Sequence, residues 1–113
     1  MLENLIATGK AFVSEAIEGY NGIKYFDSVN YEKWISKSLL YIEQNYPNST
    51  LTDKAKEGYK EVDQRNSYDY FQFLLGTLMG IKEYEDEIDK SIWGLLRYYK
   101  KHLLGAFYIL NLY

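Results

Sequence analysis

The chain has 113 residues, a formal net charge of −3, no cysteine and one proline. That length suits one domain spanning residues 1–113 with its own core, and the lack of cysteine excludes disulfides and thiolate metal sites and accords with a reducing cytoplasm. The acidic balance argues against a globally basic nucleic-acid binder and leaves room only for a local basic patch. Thirteen tyrosines exceed what one core needs. They reflect either half-buried interfaces and ligand stacking or a coding bias that also favours Lys, Asn and Ile.

The start of the chain, Met1-Leu2-Glu3-Asn4, lacks the basic region and apolar core of a signal peptide. Leu2, Leu5, Ile6, Phe12, Val13, Ala16, Ile17 and Tyr20 then recur at three- and four-residue spacings, with Gly9 on the same line. This one-sided stripe predicts an amphipathic helix that stops near Gly19-Tyr20-Asn21-Gly22, where glycine and asparagine accept the left-handed conformation. Residues 23–29 read as a connection, with Asp27, Ser28 or Asn30 available as a cap. Tyr31, Trp34, Ile35, Ser38, Leu39, Ile42 and Tyr46 predict a second helix, closed before Pro47 because proline disfavours helix at the residue preceding it.

Residues 50–65 read as a short surface helix capped by Thr50, or as an arm, since Gly58 interrupts a charged stretch. A third helix opens at Asn66 or Ser67 and buries Phe71, Leu74, Leu75, Leu78 and either Met79 or Ile81. Gly76 and Gly80 lie within it and predict close approach of another helix, because each costs roughly 1 kcal/mol relative to alanine in a helix interior. The acidic run from Lys82 to Glu87 reads as a turn or as the first turn of helix four. Ile88, Ile92, Leu95, Leu96, Tyr99, Leu103, Phe107 and Leu110 make that last helix's core stripe. The expected fold is all-α: a four-helix up-and-down bundle with a short fifth helix between helices two and three.

Taking about 100° per residue, Lys90, Trp93, Arg97, Lys101 and Tyr108 fall on the side of helix four opposite its core stripe. Cations interleaved with aromatic rings suit a nucleotide or another anionic ligand. Trp93, Arg97, Lys101 and a stacking Tyr98 or Tyr108 are therefore the candidate ligand-binding residues. Beyond Leu103 the chain has almost no polar residue, and Leu104, Tyr108, Ile109 and Leu112 are the candidate interface of a homo-oligomer. That eleven-residue tail is too short to cross a bilayer, which takes about 20 residues. The carboxylates Glu83, Glu85, Asp86, Glu87 and Asp89 match no calcium-loop spacing, so no metal and no cofactor is expected.

The run Arg97-Tyr98-Tyr99-Lys100-Lys101-His102, an arginine and a histidine separated by four residues near the end of a small helical bundle, resembles the motif of the HEPN superfamily. The resemblance implies a metal-independent ribonuclease in which Arg97 and His102 act on the ribose 2′-hydroxyl and the scissile phosphate of RNA. Positions five apart on a helix point about 140° away from each other, so convergence requires a helix break or a second copy. The leading expectation is instead a non-enzymatic, oligomeric helical binding protein that sequesters an anionic nucleotide-type ligand or blocks a partner protein. It is similar in gross character to the compact inhibitors and sponges of phages and mobile elements. The HEPN-like ribonuclease or toxin component is the alternative.

Overall fold

Phe26 sits where the first half of the molecule comes together, and the order of elements explains why. The computed structural model describes residues 1–90, 95, 96 and 99. Its helices are α1 (Leu2–Phe12), α2 (Val29–Asn45), α3 (Thr50–Glu61) and α4 (Ser67–Lys90). A 3₁₀ turn at Val13–Glu15 and two short strands, β1 (Ile17–Glu18) and β2 (Lys24–Tyr25), lie between α1 and α2. The fold is all-α, a small helical bundle with one minor hairpin among the described residues. The chain divides into two compact units, Met1–Gly80 and Ile81–Tyr113.

In the first unit α1 is shorter than its apolar stripe predicts. It ends at Phe12, and the chain turns extended at Ala16 (φ −64°, ψ 132°). Ile17 then pairs with Tyr25 and Glu18 with Lys24 in an antiparallel ladder. The glycine signal at residues 19–22 belongs to this hairpin and not to a helix end: Gly22 takes φ 72°, and its N–H donates to the Gly19 carbonyl at 3.1 Å. The stripe misleads because β-branched Val13 and Ile17 suit either period, and both remain exposed. The hairpin returns the chain so that Phe26 is buried between α2 and α4, stacked on Tyr31 at 4.8 Å and tilted on Phe71 at 4.9 Å.

The start of α2 follows the sequence closely. Ser28 is the N-cap, its hydroxyl accepting from the Tyr31 N–H at 3.1 Å. Its other end, at Tyr46, precedes Pro47 as expected. Residues 50–61 form a true helix, capped one residue earlier than expected by Ser49, which accepts from the Thr52 N–H at 3.1 Å. Thr52 also donates its hydroxyl to the Tyr46 carbonyl, tying α3 to the end of α2. Gly58 does not interrupt this helix. A side chain there would meet the Tyr70 ring at 2.9 Å, so the glycine admits that ring, whose hydroxyl donates to the Ala55 carbonyl at 2.7 Å.

α4 opens at Ser67 and buries Phe71, Leu74 and Leu78, with Leu75 and Met79 half-buried. Close helix approach occurs at a different glycine from the expected pair. A Cβ on Gly9 would lie 2.8 Å from both Leu75 Cδ1 and Trp34 Cζ2, whereas among the described residues nothing lies within 4 Å of one on Gly76 or Gly80. The expected break between helices three and four is absent through Lys90. The acidic run holds no helix breaker, and Lys82 Nζ meets Asp86 Oδ1 at 2.8 Å, an i,i+4 pair that supports helix across it.

In the second unit Ile81 is buried, while Leu95, Leu96 and Tyr99 are helical and exposed, at 55, 51 and 54 per cent. Those three were expected in a core stripe, and periodicity alone does not say whether an apolar face is covered. No helix among the described residues is long and apolar enough to cross a membrane.

Candidate functional site: a lysine-rimmed groove between α1 and α2

Of the concavities in the Met1–Gly80 unit, two that share α2 differ in charge and in what fixes them. The larger, about 850 Å³, runs between α1 and α2. Leu5 and Phe12 of α1 and Trp34 of α2 line it, flanked by Asn4, Thr8, Asn30 and Gln44. Lys33, Lys37, Leu40 and Tyr41 complete the α2 wall. Asparagine, threonine and glutamine supply neutral polar groups; among the described residues no carboxylate lines it, and the Met1 ammonium at its end meets Glu3 Oε2 at 3.9 Å. Lys33 and Lys37 are therefore the charged side chains of its described lining, in a chain of net charge −3.

The helical repeat places these groups. Asn30, Lys33, Lys37, Tyr41 and Gln44 recur at three- and four-residue steps beside the buried stripe Tyr31, Trp34, Ile35, Ser38 and Ile42. Neither lysine has a carboxylate three or four residues away on α2, since those positions hold Val29, Asn30, Trp34, Ser36, Leu40 and Tyr41 and the lysines themselves. Neither takes part in an ion pair among the described residues; Glu43 of the same helix instead meets Lys56 at 3.2 Å. Leu40 stands 67 per cent exposed beside them, an apolar side chain without cover.

Trp34 is part of the frame. Its indole N–H donates to the Leu5 carbonyl at 2.8 Å, and its ring packs edge-on to Phe12 at 6.1 Å and tilted on Phe71 at 5.4 Å. At 2 per cent exposure it offers the groove no free face on which a base could stack.

The smaller concavity, about 520 Å³, is lined by Phe26, Ser28, Tyr31, Val62 and Ser67, with Asp27, Glu32 and Asp63 as its charged groups. It is fixed by a hydrogen-bond lock. The Phe26 N–H donates to Ser67 Oγ at 2.9 Å, Tyr31 Oη donates to the Ser67 carbonyl at 2.8 Å, and Ser67 Oγ donates to the Gln64 carbonyl at 2.9 Å. Burial raises the Tyr31 phenol well above its ordinary value, with neighbouring Glu32 adding to the effect, and burial likewise raises Tyr70. Both hydroxyls are thereby held protonated as donors, which suits structural bonds and disfavours acid–base chemistry at neutral pH. Among the described residues no group of three or more His, Asp or Glu side chains is placed to hold a metal ion.

No family model, curated protein or solved structure matches the chain.

The candidate ligand-binding, catalytic and interface residues of the sequence, Trp93, Arg97, Tyr98, Lys101, His102, Leu104, Tyr108, Ile109 and Leu112, are outside the described residues. Lys33, Lys37 and Leu40 escaped the sequence reading because they flank a stripe that was read only for its core. The signal was nevertheless present: two lysines one turn apart with no acidic residue at helical spacing, next to a leucine off the buried face.

Proposed function

We propose that the chain is a non-enzymatic binding protein whose α1–α2 groove receives an anionic, partly apolar ligand. The observation that carries this reading is the pairing of Lys33 and Lys37, which have no ion-pair partner among the described residues, with exposed Leu40 along a groove that no described carboxylate lines. A solvated helix face normally intersperses charges of both signs, and a single-sign rim over an apolar floor suits a ligand carrying the opposite charge. The buried tyrosines Tyr31 and Tyr70 serve the fold through their hydrogen bonds to the Ser67 and Ala55 carbonyls. Self-association belongs to the same proposal and is supported by the exposed Leu95, Leu96 and Tyr99 of the second unit.

The test is calorimetric titration of the whole chain with two anionic probes, a nucleoside triphosphate and an acidic amphipathic peptide, against the wild type and the Lys33→Glu, Lys37→Glu double variant. Binding of either probe that weakens at least about tenfold in the variant supports the groove. Equal binding by both proteins removes it. Degradation of bulk RNA by purified protein in EDTA, abolished by His102→Ala, would overturn the non-enzymatic half of the proposal and favour the HEPN-like alternative. Light scattering of the same preparation reads the subunit number.

A further inference from the structure

We infer that the ligand of the α1–α2 groove is an acidic amphipathic helix of a partner protein. This rests on the groove being the binding site at all. Three observations separate a helix from a compact anion such as a nucleotide. The groove is long: from Asn30 to Gln44 its α2 wall covers about 21 Å, and from Asn4 to Phe12 its α1 wall covers about 12 Å, at about 1.5 Å per residue. Its apolar groups are spread along that length instead of closing into a slot: Leu5 and Phe12, 5 and 7 per cent exposed, present only their edges at the floor, while exposed Leu40 and half-buried Tyr41 stand on the α2 wall. The large buried ring of the floor, Trp34, is committed to the Leu5 carbonyl and to Phe12 and Phe71 and so presents no stacking face.

Charge completes the match. Lys33 and Lys37 stand one helical turn apart on one rim, the spacing at which a helix lying in the groove repeats its own side chains. A visiting helix with apolar residues at i, i+4, i+7 and i+11 would set them against Leu40 and Tyr41, over the exposed edges of Leu5 and Phe12. Glutamates on the flank of that stripe would meet the two lysines. The chain's own carboxylates on α2, Glu32 and Glu43, lie away from this rim: Glu32 borders the smaller concavity and Glu43 is paired with Lys56. An acidic helix therefore meets attraction at the rim without a facing negative group from α2, and a basic one meets repulsion.

The decisive experiment titrates the full chain with four probes. One is a helical peptide of about 16 residues, about 24 Å long, with leucines at i, i+4, i+7 and i+11 and flanking glutamates. The others are the same peptide with lysine for glutamate, a scrambled glutamate peptide of identical composition, and ATP. The glutamate peptide is expected to bind, and the scrambled and lysine peptides to bind at least about tenfold more weakly. In Lys33→Glu, Lys37→Glu the preference between glutamate and lysine peptides is expected to invert, and Leu40→Asp is expected to weaken the glutamate peptide, both variants keeping wild-type helicity by circular dichroism. Glu43→Gln, away from the groove, is expected to leave binding unchanged. Equal binding of ordered and scrambled peptides, or no inversion, overturns the inference. ATP binding that depends on both lysines, without peptide binding, overturns the helix while leaving the anion-binding groove standing. Binding of no probe overturns both.

Discussion

Two concavities of the first unit, the α1–α2 groove and the Phe26–Ser67 hollow, are built from neighbouring stretches of α2 but held in opposite ways. The Phe26–Ser67 hollow is acidic at its edge and closed by hydrogen bonds: the Phe26 N–H, the Tyr31 hydroxyl and the Gln64 carbonyl all meet Ser67. The α1–α2 groove is cationic at its edge, and its lysines are tied to nothing among the described residues. A region whose polar groups are satisfied within the protein contributes to the fold, because leaving any of them unpaired costs the full desolvation of a buried group. Charges left unsatisfied at a surface cost little there and remain available to something else. The two regions should therefore separate cleanly under mutation, the first through stability and the second through binding.

The largest expected difference is at the aromatic centre. Phe26→Ala removes a ring in contact with Tyr31, Tyr68 and Phe71 and is expected to lower the unfolding free energy by about 3–5 kcal/mol. Leu40→Ala in the groove, at a side chain 67 per cent exposed, is expected to stay within about 0.5 kcal/mol. Urea denaturation followed by circular dichroism measures both. Comparable losses at the two sites would erase the distinction. Next comes Ser67→Ala, which orphans the buried Phe26 N–H and is expected to cost about 1–3 kcal/mol. A cost near zero would show the lock to be incidental.

Smaller, but specific to the buried phenols, is the alkaline limb of stability. Tyr31 and Tyr70 have an ordinary value of 10.0, and burial raises both in the folded protein. The unfolded chain therefore releases these protons at lower pH than the folded one. Their contribution is complete below about pH 10 and is lost as pH rises above it, by up to about 1.4 kcal/mol per pH unit for each phenol. In Tyr31→Phe, Tyr70→Phe the protein is less stable at neutral pH through two lost hydrogen bonds, yet its stability should fall less steeply above pH 10. Parallel alkaline limbs would mean that neither phenol is held protonated by the fold.

The sequence was legible where one local signal decides an element and opaque where packing chooses between two. A cap among Asp27, Ser28 and Asn30, Pro47 as stop and the buried run Phe71, Leu74, Leu78 could be read directly, since capping, the proline ring and helical period each act within a few residues. The hairpin could not, because Val13 and Ile17 fit a helical stripe and only the return of Phe26 to α2 and α4 favours strand pairing. Glycine was legible as an exception but not as to its partner. Gly76 and Gly80 drew attention by their spacing, while Gly9 was visible only as a member of the apolar line and Gly58 only as an interruption, and neither signal points to the rings and side chain they admit, Trp34, Leu75 and Tyr70. The groove was half legible: its lysines are visible as a pair without acidic neighbours, but that they border a concavity depends on where α1 lies.

That pair also makes the smallest prediction, and its sign is informative. Lys33 and Lys37 stand at i,i+4 with no carboxylate within helical reach, so each raises the electrostatic cost of the other by about 0.2–0.5 kcal/mol. Lys33→Gln, Lys37→Gln should therefore make the protein slightly more stable in dilute buffer, and the gain should shrink as salt shortens the range of the repulsion. Thermal unfolding at low and high ionic strength measures both effects. A loss of stability on removing the charges would mean that the lysines already have a counter-charge within the chain, and the groove would then have no vacancy for an acidic partner. A gain means that the fold carries two like charges side by side at its own expense, a cost that an acidic ligand seated between α1 and α2 would reverse.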